Sequence, residues 1–321
     1  MRASRAASAV AAGLMLVAGA CSSLRHEAVP PTAVSLPRTT ATTHVSTSTG
    51  GVLAARPHVL IVLMENREDR DVIGSPSAPY VNDLAARFGL ATESFGASHP
   101  SLPNYLDLIA GGTLGITTDC TGCTVDAPVL ADQFTSAGIP WAAYAEGMPS
   151  PCFTGASAPA DYAKRHNPFV YVRHLVANAT ECGQVRPLSS FAADLASASP
   201  PDFVWVTPDL CHDGHDCDTA TADAWLRSFI QPILGSGWYA AGGIVILTWD
   251  EGDSSAGCCN GAHGGHIATL VLSARTPPGS RLNTPVDHAG VLRTIEDLFG
   301  LPHLADAACP CSGSLAPLLG G

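Results

Sequence analysis

The stretch His58-Val59-Leu60-Ile61-Val62-Leu63-Met64, followed at once by Glu65-Asn66, decides the fold of this chain. Consecutive apolar residues without polar alternation are typical of a strand that is buried on both faces of a parallel sheet. Three later runs have the same apolar character, at residues 203–206, 243–248 and 267–272. They predict further buried strands in the same sheet.

Patterns of helical period lie between these runs. They occupy residues 102–110, 129–137, 190–198, 222–234 and 289–298. Strands that alternate with helices predict an α/β fold, with a mostly parallel central sheet flanked by helices. Residues 58–321 contain no internal repeat and have a reasonable length for one domain, so we expect a single domain there.

Polar residues follow the predicted strands, at the edge where an open α/β sheet binds its ligands. Two neighbouring residues can face one site only where a strand gives way to a loop. The residues in question are Glu65, Asn66, Asp213, His215, Asp250, Glu251, His263 and His266. Carboxylates and imidazoles without a thiolate pattern suit a divalent cation such as Zn, Mn, Mg, Fe or Ca. The alternative is a set of solvated loop charges.

Ser101 is the candidate nucleophile. It precedes Pro103, which fits the first turn of a helix, so free backbone N–H groups are expected around the serine. A helix N-terminus is also a natural place for a phosphate group. The alternative is that Ser101 only caps the helix. A serine hydrolase of the α/β-hydrolase type is disfavoured, because the Gly-x-Ser-x-Gly elbow is missing here.

The composition excludes two classes of protein. The 321 residues include 16 Lys and Arg against 28 Asp and Glu, a formal charge of −12, and Lys164 is the single lysine. A nucleic-acid coat protein or a cationic membrane-surface helix needs a basic face instead. Hydrophobic residues make up 46% of the chain, which is enough for a sizeable core.

The N-terminus has the pattern of an export signal. Residues 1–20 carry Arg2 and Arg5, then an apolar stretch, then small residues. Ala18-Gly19-Ala20-Cys21 resembles a bacterial lipobox, so we expect lipid anchoring on Cys21 at the exterior of the cell envelope, or else plain secretion. Residues 21–57 form a Ser/Thr/Pro-rich tether between this anchor and the domain.

The eleven cysteines fit an oxidising compartment. Setting Cys21 aside for a lipid leaves ten, which is enough for five disulfides. Cys120-Thr121-Gly122-Cys123 is expected to be a structural disulfide, rather than a redox motif or half of a zinc site. The sequence leaves the other pairings open.

Several blocks in order resemble the bacterial phosphoesterase family, which contains secreted acid phosphatases and phospholipase C enzymes. The blocks are 58–66, Ile73-Gly74, Ala78-Pro79-Tyr80, 82–85, Ser98 to Tyr105, 213–216, 248–252 and 292–300. They cover about residues 58–301. The family belongs to the alkaline-phosphatase-like superfamily, whose members use a metal-bound Ser or Thr nucleophile. Ser101-Leu102-Pro103-Asn104 is also similar to the nucleophile segment of nucleotide pyrophosphatases.

The resemblance implies a role for each candidate residue. It makes Ser101 the nucleophile, with His215 and His266 as the other catalytic residues. Substrate contacts fall to Asn104, His263 and His99. The implied metal ligands are Glu65, Asn66, Asp213, Asp250 and Glu251.

The chemistry of these residue types favours phosphomonoester hydrolysis. A serine hydroxyl is a weak nucleophile at neutral pH, and a divalent cation both favours its alkoxide and offsets phosphoryl charge. We therefore expect an acid phosphatase that works through a phosphoserine. The alternatives are a phosphodiesterase or phospholipase C and, in a different class, a non-catalytic metal- or phosphate-binding surface lipoprotein. The expected partner is a small phosphate ester, without nucleic-acid coating and with membrane contact only through the lipid on Cys21.

Overall fold

The computed structural model describes residues 56–320. Its strands are β1 His58–Met64, β2 Gly89–Phe95, β3 Trp141–Ala145, β4 Ser157–Ala158, β5 Tyr162–Ala163, β6 Val185–Pro187, β7 Phe203–Thr207, β8 Gly243–Trp249, β9 His266–Ser273, β10 Arg281–Leu282 and β11 Val286–Asp287. Its helices are α1 Asp69–Val72, α2 Pro79–Arg87, α3 Ser101–Ala110, α4 Leu130–Ala137, α5 Arg173–Ala177, α6 Ala179–Cys182, α7 Phe191–Leu195, α8 Thr219–Leu234, α9 Gly237–Ala240 and α10 His288–Phe299.

A central sheet has the strand order β10-β2-β9-β8-β1-β7-β3-β6, with β11 also paired to β2. Strand β1 lies in the middle and runs parallel to both β7 and β8. Strand β9 is antiparallel to both of its neighbours, β8 and β2. The predicted α/β fold with a mostly parallel sheet is confirmed, and the four predicted strands are β1, β7, β8 and β9.

Strand β1 is buried on both faces, as its apolar run predicts. Val59, Ile61 and Leu63 pack in the layer that contains α3, α4 and α10. Leu60, Val62 and Met64 point the other way, into the layer of α2 and α8. The period-2 alternation of a strand therefore divides one apolar run between two helical layers.

The predicted helices at 102–110, 129–137, 222–234 and 289–298 correspond closely to α3, α4, α8 and α10. The pattern at 190–198 gives only the short helix α7, preceded by the 3₁₀ turn Leu188–Ser190. Strands β2 and β3 were not predicted. Strand β3 reads Trp-Ala-Ala-Tyr-Ala, and alanine is depleted in strands, so packing rather than propensity forms it.

The ten cysteines beyond Cys21 form five disulfides: Cys120–Cys123, Cys152–Cys182, Cys211–Cys217, Cys258–Cys259 and Cys309–Cys311. The expected Cys120–Cys123 bridge is thus present. The signal sequence 1–20, Cys21 and nearly all of the tether 21–57 lie outside the described residues. Within residues 56–320, no helix is both long and apolar enough to cross a membrane.

Candidate active site

Buried carboxylates meet where β1, β7 and β8 end side by side. The side chains of Glu65, Asp213 and Asp250 have no exposed surface, and Glu251 is 5% exposed. The backbone joins the strand ends, because Glu65 N–H donates to Asp213 O at 2.9 Å. Asn66, in a left-handed conformation with φ of 50°, donates its N–H to Asp250 Oδ1 at 3.0 Å. The strand-end rule therefore placed this acidic cluster correctly.

Ser101 is the first residue of α3, and its side chain points into the acidic cluster. Its Oγ donates to Glu65 Oε2 at 3.0 Å and lies 3.4 Å from Glu251 Oε1. The N-cap position is held by Pro100 and not by Ser101, and the Ser101 side chain makes no capping hydrogen bond. Ser101 is therefore not the cap of this helix. The residue is 2% exposed, and its hydroxyl is held by carboxylates instead.

His166 lies inside the cluster and was missed by the sequence analysis. Its Nδ1 is 2.9 Å from Asp213 Oδ2, and its Nε2 is 3.0 Å from Glu65 Oε1. The residue ends the 3₁₀ turn Lys164–His166, which follows the two-residue strand β5 and not a strand of the central sheet. The one sequence signal is the polar run before Pro168 in an otherwise apolar segment, and that pattern is weak.

Tyr105 is a second missed residue. Its hydroxyl donates to Glu65 Oε1 at 2.7 Å, and its ring stacks on His166 with centroids 5.3 Å apart. Residues i and i+4 of a helix share a face, so Ser101 and Tyr105 point the same way from α3. That spacing could have identified Tyr105 once Ser101 was chosen.

The cluster carries an unfavourable concentration of negative charge. Burial raises the pKa of Glu65 well above its ordinary value, and the charges of Asp250 and Asp213 raise it further. Burial likewise raises the pKa of Asp250, with Glu251 adding to the effect. Burial raises the pKa of Asp213 to about 7 and that of Glu251 to about 7. A nearby cation would remove this penalty.

The donor atoms fit a divalent metal cation, the group that the family resemblance implies. Asp250 Oδ2 is buried without a hydrogen-bond partner, and His166 Nε2, although 3.0 Å from Glu65 Oε1, is not in hydrogen-bonding geometry with it. Glu65, His166 and His215 each offer one atom, and these atoms lie within 4.8 Å of one another. Carboxylate oxygens and neutral imidazole nitrogens are ordinary ligands for such ions. Burial, helped by the charge of Arg165, lowers the pKa of His166 and so keeps its imidazole neutral.

His215 and His99 lie at the rim of the cluster. The ring of His215 is 5.6 Å from that of His166; its Nε2 is 3.1 Å from Arg165 Nη2, and its Nδ1 is 2.6 Å from Asp216 Oδ1. His99 Nδ1 contacts Glu251 Oε2 closely. The structure thus brings both predicted histidines to the predicted site, and their roles stay predictions.

Asn104 is buried and holds the loop before α3. Its Oδ1 accepts from Ser98 N–H at 2.9 Å, while its Nδ2 donates to Ser98 O at 2.8 Å and to Pro100 O at 3.2 Å. These bonds fix the backbone that presents Ser101. The phosphate contact expected of Asn104 stays a prediction.

His263 and His266 make their hydrogen bonds away from the cluster. His263 is exposed and bonds to Gly261 O at 2.9 Å. His266 Nε2 is 2.9 Å from Thr92 O, and its ring stacks on Phe95. Because β9 runs antiparallel, these residues do lie at the active-site edge of the sheet. Their contacts do not favour the catalytic and substrate-binding roles expected from the sequence.

Glu68 anchors the loop between β8 and β9 from below the cluster. Its oxygens accept from Asp253 N–H at 2.9 Å, from Ser254 Oγ at 2.7 Å and from His266 N–H at 3.1 Å. Burial by itself would raise the pKa of Glu68, but the hydrogen bonds from these donors outweigh that effect and lower the pKa to about 2. Packing is close, since a Cβ at Gly252 would collide with Glu68 Oε2.

Known proteins match this chain in sequence. The profile of the Phosphoesterase family matches residues 73–302. A phosphatidylinositol-3-phosphatase from Mycobacterium tuberculosis is 33% identical over 249 residues, which cover 76% of this chain and 77% of that protein. An acid phosphatase from Aspergillus fumigatus is 28% identical over 258 residues, which cover 77% of this chain but only 56% of the fungal protein.

Solved structures match the fold. The phosphonate monoester hydrolase of Agrobacterium radiobacter gives a TM-score of 0.55 at 16% identity, covering 83% of this chain and 77% of that one. An alkaline phosphatase superfamily protein from Vibrio parahaemolyticus gives 0.54 at 13%, covering 79% and 70%. At such identities these structures share the fold alone. The family match and the curated relatives show more: the chain belongs to the phosphoesterase family and is a phosphoric ester hydrolase.

Proposed function

We propose that this protein is an exported, metal-dependent acid phosphatase that hydrolyses phosphomonoesters through a phosphoserine on Ser101. The observation that carries the proposal is the position of Ser101 Oγ, 3.0 Å from Glu65 Oε2 inside a buried acidic cluster. Two further atoms of that cluster, Asp250 Oδ2 and His166 Nε2, make no hydrogen bond, although His166 Nε2 lies 3.0 Å from Glu65 Oε1. A nucleophile among such atoms fits a hydroxyl that is activated beside a cation.

The residues that would hold the cation are Glu65, Asn66, Asp213, Asp250 and Glu251, with His166 added by its position. When bound, a divalent cation lowers the pKa of the serine hydroxyl and offsets charge on the phosphoryl oxygens. The hydrogen bonds of Ser101 Oγ direct its proton toward Glu65 and Glu251, so an ionised carboxylate of this pair can accept it. The buried position of Ser101 limits the access of competing water.

In-line attack of Ser101 Oγ on phosphorus forms the Oγ–P bond as the bond to the leaving alkoxide breaks. An imidazole at the rim can protonate that alkoxide, and His215 is the best placed, since its side chain is 30% exposed and faces the cluster. Water then attacks the phosphoserine, which releases inorganic phosphate and restores the Ser101 hydroxyl. Formation and hydrolysis of the phosphoserine therefore use the same side chains.

Ser101→Ala tests the mechanism, with Ser94→Ala as a matched control. Both serines are buried, but Ser94 Oγ bonds to Thr269 Oγ1 in the sheet. We expect Ser101→Ala to lower turnover of p-nitrophenyl phosphate by about 10³-fold or more, because the covalent step is lost. Elemental analysis should show metal retained in both variants. Undiminished turnover by Ser101→Ala would overturn the proposal.

The relatives favour a monoester substrate. One is named a phosphatidylinositol-3-phosphatase and another an acid phosphatase, and both names describe removal of a terminal phosphate. A substrate panel separates the alternatives: p-nitrophenyl phosphate and a phosphoinositide as monoesters, bis-p-nitrophenyl phosphate and phosphatidylcholine as diesters. Faster turnover of the diesters would make this a phosphodiesterase or phospholipase C. Absence of turnover of every monoester and diester, with every metal tested, would favour the non-catalytic lipoprotein.

The export proposal rests on residues 1–57 of the sequence. We propose that the chain is cleaved before Cys21 and lipid-anchored there, with residues 21–57 as the tether. Mass spectrometry of the mature N-terminal peptide tests this directly. A diacylated Cys21 supports the anchor, whereas an unmodified new N-terminus leaves only secretion.

A further inference from the structure

The loop that leaves α3 turns back to the start of the same helix and places Asp119 there. Asp119 Oδ1 accepts a hydrogen bond from the backbone N–H of Leu102 at 2.9 Å. Its other oxygen, Oδ2, lies 3.8 Å from Arg165 Nε. Both side chains are partly buried, at 32% and 25% exposure for Asp119 and Arg165. A carboxylate is therefore seated beside the nucleophile Ser101.

Leu102 N–H and Arg165 have the chemistry that recognises a phosphoryl group. Helix α3 has ten residues, so its first turn offers unpaired N–H groups and a positive dipole end. A guanidinium binds phosphate and carboxylate oxygens with the same geometry. Arg165 also contacts His215 Nε2 at 3.1 Å, which places it at the rim of the acidic cluster. Asp119 thus accepts a hydrogen bond from Leu102 N–H and forms an ion pair with Arg165, two groups that suit the substrate's anionic oxygens.

Asp119 is built into this position. The adjacent disulfide Cys120–Cys123 closes the tip of its loop. Lys164 Nζ donates to Thr121 O at 2.8 Å, which ties the loop to the turn that carries Arg165 and His166. Lys164, the single lysine of the chain, therefore holds this loop in place.

We propose that the Asp119 carboxylate is an internal occupant of the phosphoryl-binding position, which the phosphoryl group of substrate or product must displace from Leu102 N–H and Arg165. The inference rests on the proposed function and adds to it that Asp119 limits the affinity of the site for phosphate. A fixed negative charge at this position weakens the binding of every phosphate anion. It therefore weakens retention of inorganic phosphate, the reaction product.

Equilibrium binding of inorganic phosphate to the metal-loaded full chain tests the proposal. Asp119→Asn keeps the size and an acceptor oxygen but removes the charge; Asp119→Ala removes both. We expect both variants to bind phosphate roughly tenfold more tightly in calorimetry, because a competing like charge is lost. Asp126→Asn is the matched control: its carboxylate also pairs with an arginine, Arg173 at 3.5 Å, but its exposed side chain lies beyond the Cys120–Cys123 disulfide of the same connection.

Arg165→Gln sharpens the test through a double-mutant cycle. The single Arg165→Gln variant should bind phosphate more weakly than the wild type. In the Arg165→Gln background, Asp119→Asn should raise the phosphate affinity by a smaller factor, because Arg165 and Asp119 act on the same anion. Unchanged or weaker phosphate binding by both Asp119 variants would overturn the proposal, since Asp119 would then support the site. Because binding is measured without turnover, an inactive wild-type protein would refute the proposed function and leave this comparison readable.

Discussion

Glu65 and Glu68 stand three residues apart in the sequence, and both side chains are buried, yet their surroundings drive their pKa values in opposite directions. Glu68 receives hydrogen bonds from backbone N–H groups and from Ser254, so its pKa falls to about 2. Glu65 faces Asp250 and Asp213, so burial and these charges raise its pKa. The donors around Glu68 outweigh the cost of burying its charge, whereas the hydrogen bonds that Glu65 accepts from Ser101 and Tyr105 do not.

The difference separates a structural carboxylate from a functional one. Glu68 has exchanged water for fixed donors, so it contributes stability and needs nothing more. Glu65 shares a volume with other carboxylates, so its charged form is stable only with protons or a cation nearby. Burial alone does not identify an active site. The two glutamates are distinguished by whether the neighbouring groups favour or oppose the negative charge of the carboxylate.

The largest expected effect is that of Glu65→Gln. We expect turnover of p-nitrophenyl phosphate to fall by about 10³-fold or more, because a ligand and a partner of Ser101 are lost together. Elemental analysis should show reduced metal. The metal-free variant should be at least as stable as the metal-free wild type, because charge repulsion is relieved. Glu93→Gln, on the exposed face of β2, is the control, and equal losses in both variants would contradict this role.

The next effect is a pH dependence of the metal-free protein. The pKa values of Asp213 and Glu251 are raised to about 7, so the folded state binds more protons than the unfolded state below that pH. Stability should therefore fall as pH rises from about 4 to about 7, by roughly 4 kcal/mol for Asp213 and roughly 3 kcal/mol for Glu251.

Urea unfolding across this range, with and without added Mn²⁺ or Zn²⁺, measures the dependence. Bound metal should flatten or reverse it, because the cation stabilises the ionised carboxylates. A metal-free protein whose stability is constant from about pH 4 to about pH 7 would contradict the charge argument.

Glu68→Gln should act on stability and leave the metal in place. An amide cannot accept from all of the donors that Glu68 serves, so we expect a loss of about 3 kcal/mol in the free energy of unfolding. In the wild type, the lowered pKa contributes stability that is complete above the ordinary value of 4.5 and is lost as pH falls to about 2. The variant should lack this acid-sensitive part. Reduced metal content in Glu68→Gln would contradict the purely structural role of Glu68.

Tyr105→Phe should give the smallest effect. It removes the 2.7 Å hydrogen bond to Glu65 Oε1, which opposes the rise in the pKa of Glu65. We expect metal binding to weaken about fivefold and to require a higher pH, because the glutamate must lose its proton to bind the cation. Metal titrations at several pH values measure this shift. Binding that is unchanged at every pH would show that Tyr105 only fills space.

The sequence was sufficient for the parts of the site that follow strands. Glu65 and Asp250 come directly after apolar runs, and parallel strands bring such ends to one edge of the sheet. Ser101 was accessible because Pro103 marks the start of a helix. These inferences need only local periodicity and a general rule of topology.

His166, Arg165 and Asp119 could not be placed in the same way. They lie in a 3₁₀ turn and a disulfide-closed loop, where no periodic pattern gives direction to a side chain. Their positions depend on contacts between distant segments, such as Lys164 with Thr121. The opposite outcomes for Glu65 and Glu68 depend likewise on which donors the folded loops supply.

The reversed direction of β9 has a consequence for how such enzymes can diversify. Because β9 returns antiparallel to β8, the segment 250–265 leaves and re-enters the sheet at the same rim. Its two ends are clamped together by Glu68, which accepts from both Asp253 and His266. Insertions into the middle of this segment can therefore remodel the entrance that a substrate meets while the framework beneath keeps its register. We expect loops grafted into this segment to leave the positions of Glu65 and Ser101 unchanged.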